Sequence, residues 1–147
     1  IAWCTRGICQ LSIHDSRDPE VSRIFAEEWR GAQRQENNSA AADLLARVFA
    51  QPLERGKLHL LLRGTNFQVK VWQALMQVTP GQLVSYQQLG AIAGTGQAHR
   101  AVGSGMARNR IAYLIPCHRV IRQGGDWGNY RWGLERKLAL HLWEHTG

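Results

Sequence analysis

The chain has 147 residues, the size of one domain or of two small lobes sharing an interface. Hydrophobic residues make up 44% and charged residues 20%, which excludes a disordered or fibrous chain, and no apolar run approaches the roughly 20 residues that span a bilayer. Eighteen Lys and Arg against eleven Asp and Glu leave a net charge of +7, which points toward a polyanionic partner.

Residues 1–4 and 8–13 read as short strands joined by Thr5-Arg6-Gly7, with Gly7 supplying the positive φ of a hairpin. In the second run Cys9, Leu11 and Ile13 alternate with Gln10 and Ser12, which predicts one buried face. Asp18-Pro19 reads as an N-cap followed by proline at the first helical position, and Val21, Ile24, Phe25 and Trp29 keep a helical period. Residues 31–38 are a polar loop. Leu44, Leu45, Val48 and Phe49 form another apolar stripe, ended by Pro52, and residues 58–63 read as a further strand. Residues 1–63 thus form a small α/β lobe without evident chemistry. Position 1 is Ile inside a β-like run, so residues ahead of it are expected to have been trimmed and the absence of a targeting signal carries no weight. Three cysteines without a CxxC pair argue against a disulfide framework and for a reducing, cytoplasmic setting. Cys4, Cys9, His14 and His59 could ligate zinc, but alternating strand positions send them partly to opposite faces, so no metal site is expected.

The texture changes at Gly64. Thr65 with Gln68 makes a capping box, followed by Phe67, Val71, Leu75 and Val78 down one helix face. Pro80-Gly81 is a turn. Ser85 with Gln88 forms a second capping box, and that helix ends at Gly94-Thr95-Gly96. A third helix runs from about Gln97 to Ala107, and two short helices across a glycine turn are the signature of a helix-turn-helix, here read as DNA-binding. In the third helix Ala98, Ala101, Val102, Gly103, Ser104, Gly105 and Ala107 are small, while His99, Arg100 and Arg108 carry the reach. Major-groove readers present several long polar side chains. Small residues with one Arg suit close approach to a backbone or minor groove, with Arg100 as a wedge or stacking group.

After the strand-like residues 111–115 comes Pro116-Cys117-His118-Arg119-Val120. Adjacent His118 and Arg119 are expected to lower the Cys117 thiol pKa, and Pro116 fixes the backbone before the sulfur. Sequence neighbours do not face each other in helical geometry, so His118 is expected to act through a bridging water or a turn. Glu144 and Asp126 are the downstream candidates to orient its imidazole. Cys and His together also fit a cysteine hydrolase.

This motif resembles the active site of the O6-alkylguanine-DNA alkyltransferase family. Gly64-Thr65-Asn66-Phe67-Gln68, Val71-Trp72-Gln73-Ala74-Leu75, Ser85-Tyr86-Gln87-Gln88-Leu89, Arg100-Ala101-Val102-Gly103, Asn109 and Gly128-Asn129-Tyr130 follow in family order, with strong similarity from Gly64 to Glu144 and only Arg6-Gly7-Ile8-Cys9 suggestive before it. The resemblance implies a ribonuclease H-like α/β lobe over 1–63 and a mainly α, winged-helix-like lobe with a helix-turn-helix over 64–147. It implies a monomer without cofactor that binds duplex DNA in the minor groove and flips out O6-alkylguanine. The alkyl group then passes irreversibly to Cys117, with O4-alkylthymine as a second substrate.

Carried over residue by residue, His118 with Glu144 generates the Cys117 thiolate through water, Tyr86 donates a proton toward guanine N3, and Asn109 braces the cysteine turn. Arg100 fills the vacated stack, with Ala101, Gly103 and Ser104 beside it on the DNA-facing helix. The Val120 carbonyl and the Arg131 amide read the base, with Tyr130 and Trp132 lining its pocket, and Lys137 supports the site through hydrogen bonding near Tyr130. Arg110, where eukaryotic members have proline, and Arg131-Trp132, in place of small residues, depart from the eukaryotic pattern, and Tyr130-Arg131-Trp132-Gly133 with Arg136-Lys137 instead resemble the bacterial Ada-type C-terminal domain. Trp132 is expected to narrow the pocket against large alkyl groups. The leading rival to transfer is a protein that binds alkyl lesions without accepting the group.

Overall fold

The chain opens with an antiparallel pair, β1 (Ala2–Cys4) and β2 (Gly7–Gln10), in a computed structural model that describes residues 1–15 and 17–146, with backbone alone at Pro52. Gly7 has φ +135°, and a Cβ there would lie 2.4 Å from the His59 carbonyl oxygen, so turn geometry and close approach both require glycine. The buried phase of β2 differs from the sequence expectation. Ile8 and Gln10 point inward together with Leu11, while Cys9 is only partly covered. The inward Gln10 is tolerated because its Oε1 accepts a hydrogen bond from the Trp29 indole.

Residues 58–63 do not form the expected strand. Ile8 spends its backbone groups on His59 and Leu61, both at 2.8 Å, giving one parallel bridge between Ile8 and Leu60. At Leu11 the chain changes partner and bridges Ile111 instead. Each flank therefore receives a single bridge, while Leu58, Leu60 and Leu62 pack against the core from irregular backbone. The expected strand over 111–115 fails similarly: beyond Ile111 the chain is a series of tight turns, with Tyr113 at φ +65°. An apolar run of five residues records burial, not backbone shape.

Helices supply the rest. Asp18 Oδ1 accepts from the Glu20 N–H at 2.9 Å and starts α1 (Glu20–Glu28). Asn37 caps α2 (Asn38–Phe49), and α3 (Pro52–Arg55) is one turn. Both expected capping boxes are present, Thr65 with Gln68 on α4 (Asn66–Leu75) and Ser85 with Gln88 on α5 (Tyr86–Ala93). Gly94, left-handed at φ +69°, ends α5, and α6 (His99–Ala107) follows. A 3₁₀ turn, Cys117–Arg119, leads into β4 (Val120–Ile121), which pairs in parallel with β3 (Val84–Ser85). The last described element is α7 (Leu134–Thr146).

The architecture is thus a mixed α/β fold of helices with small two-stranded sheets. Val71, Trp72, Leu75, Leu89, Val102, Ile115 and Val120 share one core with Ile8, Leu11 and Val48. α6 lies against α4, where the Trp72 indole donates to the Gly105 carbonyl at 3.0 Å. Among the described residues no helix is long and apolar enough to cross a membrane.

Candidate active site

Cys117 begins the 3₁₀ turn and is 5% exposed. The loop before it is held by one buried amide. Asn109 Oδ1 accepts from the Ile111 N–H at 2.8 Å, and its Nδ2 donates to the Ile115 carbonyl at 3.0 Å and to Cys117 Sγ at 3.3 Å. Burial pushes the thiol pKa up, while the Asn109 hydrogen bond and the charges of Lys137 and Arg131 pull it partly back. This corrects the expectation that His118 and Arg119 lower the thiol pKa. Both face Glu144 instead.

His118 is fully buried and its Nε2 lies 2.8 Å from Glu144 Oε1. A carboxylate only accepts, so Nε2 is the donor in this contact. Nδ1 is buried with no hydrogen-bond partner among the described residues. Arg119 donates from Nε to both Glu144 oxygens at 3.0 and 3.1 Å and from Nη2 at 2.6 Å, and it also reaches the Val78 carbonyl. The Gly81 N–H adds a fourth donor to Glu144, at 3.2 Å. Burial by itself would raise the Glu144 pKa, but the His118 and Arg119 hydrogen bonds outweigh it and hold the carboxyl at about 2. Glu144 is therefore a fixed anion. Asp126, the other candidate orienter, binds Arg122 at 2.9 Å and the Gly128 N–H at 3.1 Å.

Lys137 is fully buried and donates to the carbonyls of Val120, at 2.6 Å, and Trp127, in place of the expected bond near Tyr130. A buried ammonium needs acceptors, and these two carbonyls provide them at the start of β4 and before the 128–133 segment. Tyr130 is partly buried, its hydroxyl lacks a partner among the described residues, and burial raises its pKa. Tyr86 opens α5, half-buried, with its ring against Gly103 and its hydroxyl near Gly128. Burial raises the Tyr86 pKa, with Arg122 opposing and Cys117 and Asp126 adding, so the phenol stays protonated as a hydrogen-bond donor. On α6, Arg100, Ala101 and Ser104 are exposed and Gly103 is partly covered, while Val102, Gly105 and Met106 face inward. That leaves one outward face of small residues beside Arg100.

The side chains of Arg131 and Trp132 both turn toward the N-terminal residues. The Arg131 side chain donates to the Asn109 carbonyl at 2.8 Å and to Glu28 of α1. Trp132, 5% exposed, lines a crevice of about 90 Å³ with Gln10, Ser12, His14 and Ile24, so its indole packs the seam with the N-terminal residues. Arg119 as the Glu144 clamp and Glu28 as the Arg131 partner escaped the sequence reading. Their contacts span 25 and 103 residues, and no local pattern signals such pairs. Among the described residues no group of three or more His, Cys, Asp or Glu is placed to hold a metal ion, and all three cysteines are free.

Comparison with known proteins shows the family of the chain. A profile described as "6-O-methylguanine DNA methyltransferase, DNA binding domain" matches residues 66–146. The bifunctional transcriptional activator/DNA repair enzyme Ada of Escherichia coli K12 is 39% identical over 148 residues, covering 95% of this chain, which spans 40% of Ada's length. The methylated-DNA--protein-cysteine methyltransferase of Mycobacterium tuberculosis H37Rv is 42% identical over 102 residues, covering 69% of this chain and 62% of that protein. A crystal structure of M. tuberculosis OGT in complex with DNA superimposes with a TM-score of 0.65 at 41% identity, over 74% of this chain and 67% of that one. The O6-methylguanine-DNA methyltransferase of Pyrococcus kodakaraensis KOD1 gives 0.63 at 29% identity, over 84% and 77%. With Pro116-Cys117-His118-Arg119-Val120 placed in its core and a matching profile over residues 66–146, the chain belongs to the 6-O-methylguanine DNA methyltransferase family.

Proposed function

We propose that this chain repairs DNA by moving the alkyl group of O6-alkylguanine, and of O4-alkylthymine, onto Cys117. The observation that carries the reading is the buried Cys117 sulfur, held by Asn109, followed in the chain by an imidazole whose Nε2 is fixed on Glu144 and whose buried Nδ1 has no hydrogen-bond partner among the described residues. The thiol proton passes through water to His118 Nδ1. The thiolate attacks the alkyl carbon, the bond to O6 breaks, and its electron pair stays with guanine. Tyr86 donates a proton toward N3, making the base a better leaving group. The product is a thioether, so one chain repairs one lesion.

The target base must leave the stack, at a few kcal/mol of unstacking. Residues 64–147 act as a winged-helix-like unit whose helix-turn-helix, α5 and α6, enters the minor groove as a monomer. Arg100 fills the vacated stack beside Ala101, Gly103 and Ser104. The Val120 carbonyl, oriented by Lys137, and the Arg131 amide read the base next to Tyr130. Residues 1–63 form the companion lobe, ribonuclease H-like in type. Incubation with duplex DNA containing O6-methylguanine, followed by mass measurement of the tryptic peptide bearing Cys117, tests the reading. A peptide in which methyl has replaced the thiol hydrogen, heavier by one CH2, is expected. Bound DNA with an unmodified peptide would leave only lesion recognition.

A further inference from the structure

Glu28, the last residue of α1, is the one carboxylate among the described residues that meets both Arg131 and Arg110. It accepts a hydrogen bond from Arg131 Nη2 through Oε1, and its Oε2 lies 3.6 Å from Arg110 Nε. Its side chain is 16% exposed, and Oε2 and Arg110 Nε are buried without a hydrogen bond of their own, so the carboxylate is counter-ion to two guanidiniums at once. Arg131 passes the contact on. Its Nη1 donates to the Asn109 carbonyl at 2.8 Å, and the Asn109 side chain holds Cys117 Sγ at 3.3 Å.

We propose that Glu28 is a positioning residue for alkyl transfer: through Arg131 it holds Asn109 and the Tyr130–Trp132 segment in place, so the N-terminal region sets the geometry around Cys117. The inference rests on the reading of Cys117 as alkyl acceptor. Removing the carboxylate leaves Arg110 and Arg131 as like charges near one another, each only partly exposed, with Arg131 also resting over the Trp132 ring at 5.6 Å. Their repulsion pushes Arg131 off the Asn109 carbonyl and loosens the segment that receives the base. Arg110 has a further contact at its far side, to the Arg63 carbonyl at 3.3 Å.

The test is single-turnover transfer from O6-methylguanine duplex across a range of DNA concentrations, which separates affinity from the limiting rate. It compares the native chain, Glu28→Gln, Arg131→Gln and the double variant. Glu28→Gln is expected to lower the limiting rate about tenfold, within the range that a small misplacement of reacting groups costs, with DNA affinity unchanged. The double variant should be no slower than Arg131→Gln alone, because residues acting as one unit are not additive. A limiting rate equal to the native one, or fully additive losses, overturns the proposal. Glu28→Asp keeps the charge with a shorter reach; it should give an intermediate rate, and it replaces the Gln variant if that one fails to fold. If the native chain transfers nothing, the reading of its function fails first. Carbamidomethylation of Cys117 by iodoacetamide then still reads the link: a faster reaction in Glu28→Gln supports it, and an equal one overturns it.

Discussion

Up to residue 63, the described buried side chains are Ile8, Gln10, Leu11 and Val48, and α1 buries none fully. From Gly64 onward α4, α5, α6 and the loop from Asn109 to Val120 build one dense core, and it encloses Asn109, His118, Arg119 and Lys137 as well as apolar groups. Burying polar and charged groups costs several kcal/mol unless each finds a partner. The C-terminal region meets that cost by pairing: Asn109 with three groups, Glu144 with His118, Arg119 and Gly81, Lys137 with two carbonyls. The N-terminal region buries little polar chemistry, and Glu28 is its carboxylate that pairs with Arg131 and Arg110. The contrast is one of electrostatics: the buried polar and charged pairs lie almost wholly in the C-terminal region.

The cysteines break or sharpen this contrast most strongly. Cys117→Ala should abolish transfer while keeping affinity for alkylated DNA, whereas Cys4→Ser and Cys9→Ser should transfer normally; a labelled methyl group found on either N-terminal cysteine would reverse the assignment. Next in size is Glu144→Gln. It removes the anion facing buried His118 and Arg119 and should cost about 3–5 kcal/mol in urea unfolding. It should also slow transfer by roughly 10²-fold or more, the range expected for a lost proton-transfer device.

The same residue governs acid stability. Its pKa is depressed to about 2 from an ordinary 4.5, so its stabilisation is complete above 4.5 and lost as pH falls toward 2. Native protein should therefore lose more stability than Glu144→Gln over that interval, and parallel curves would show that Glu144 is not the group titrating.

Trp132→Gly tests the seam between the regions. The large-to-small change should cost about 3–5 kcal/mol. The ratio of rates for O6-benzylguanine and O6-methylguanine should stay unchanged, because the indole packs against Gln10, Ser12, His14 and Ile24. A clear gain with the benzyl base would put the ring in the substrate pocket, as the sequence alone suggested. The smallest effect is expected at the exposed α6 face. Arg100→Ala should slow repair in duplex more than repair of the free base, and should lower the salt slope of DNA affinity by about 0.9 if it contacts one phosphate. Tyr86→Phe should impair both substrates alike, since proton donation is needed wherever the base sits.

Local chemistry was legible in the linear chain. Thr65 with Gln68 and Ser85 with Gln88 are capping boxes because their partners are three residues apart, and Gly94 ends α5 because it can adopt the left-handed conformation. Pro116-Cys117-His118-Arg119-Val120 stood out as a candidate site for the same reason, all its groups being contiguous. The false strands at 58–63 and 111–115 had apolar composition without a partner that stays alongside, and only the change of pairing at Leu11 reveals that.

The electrostatics also waited for the tertiary structure. Adjacent cations in sequence suggested an acidic thiol, yet His118 and Arg119 turn to Glu144, 26 and 25 residues away, and burial leaves Cys117 with a raised pKa. Residue identity determines which charges exist. Direction and burial decide what each charge acts on, because both follow from packing between segments far apart in the chain.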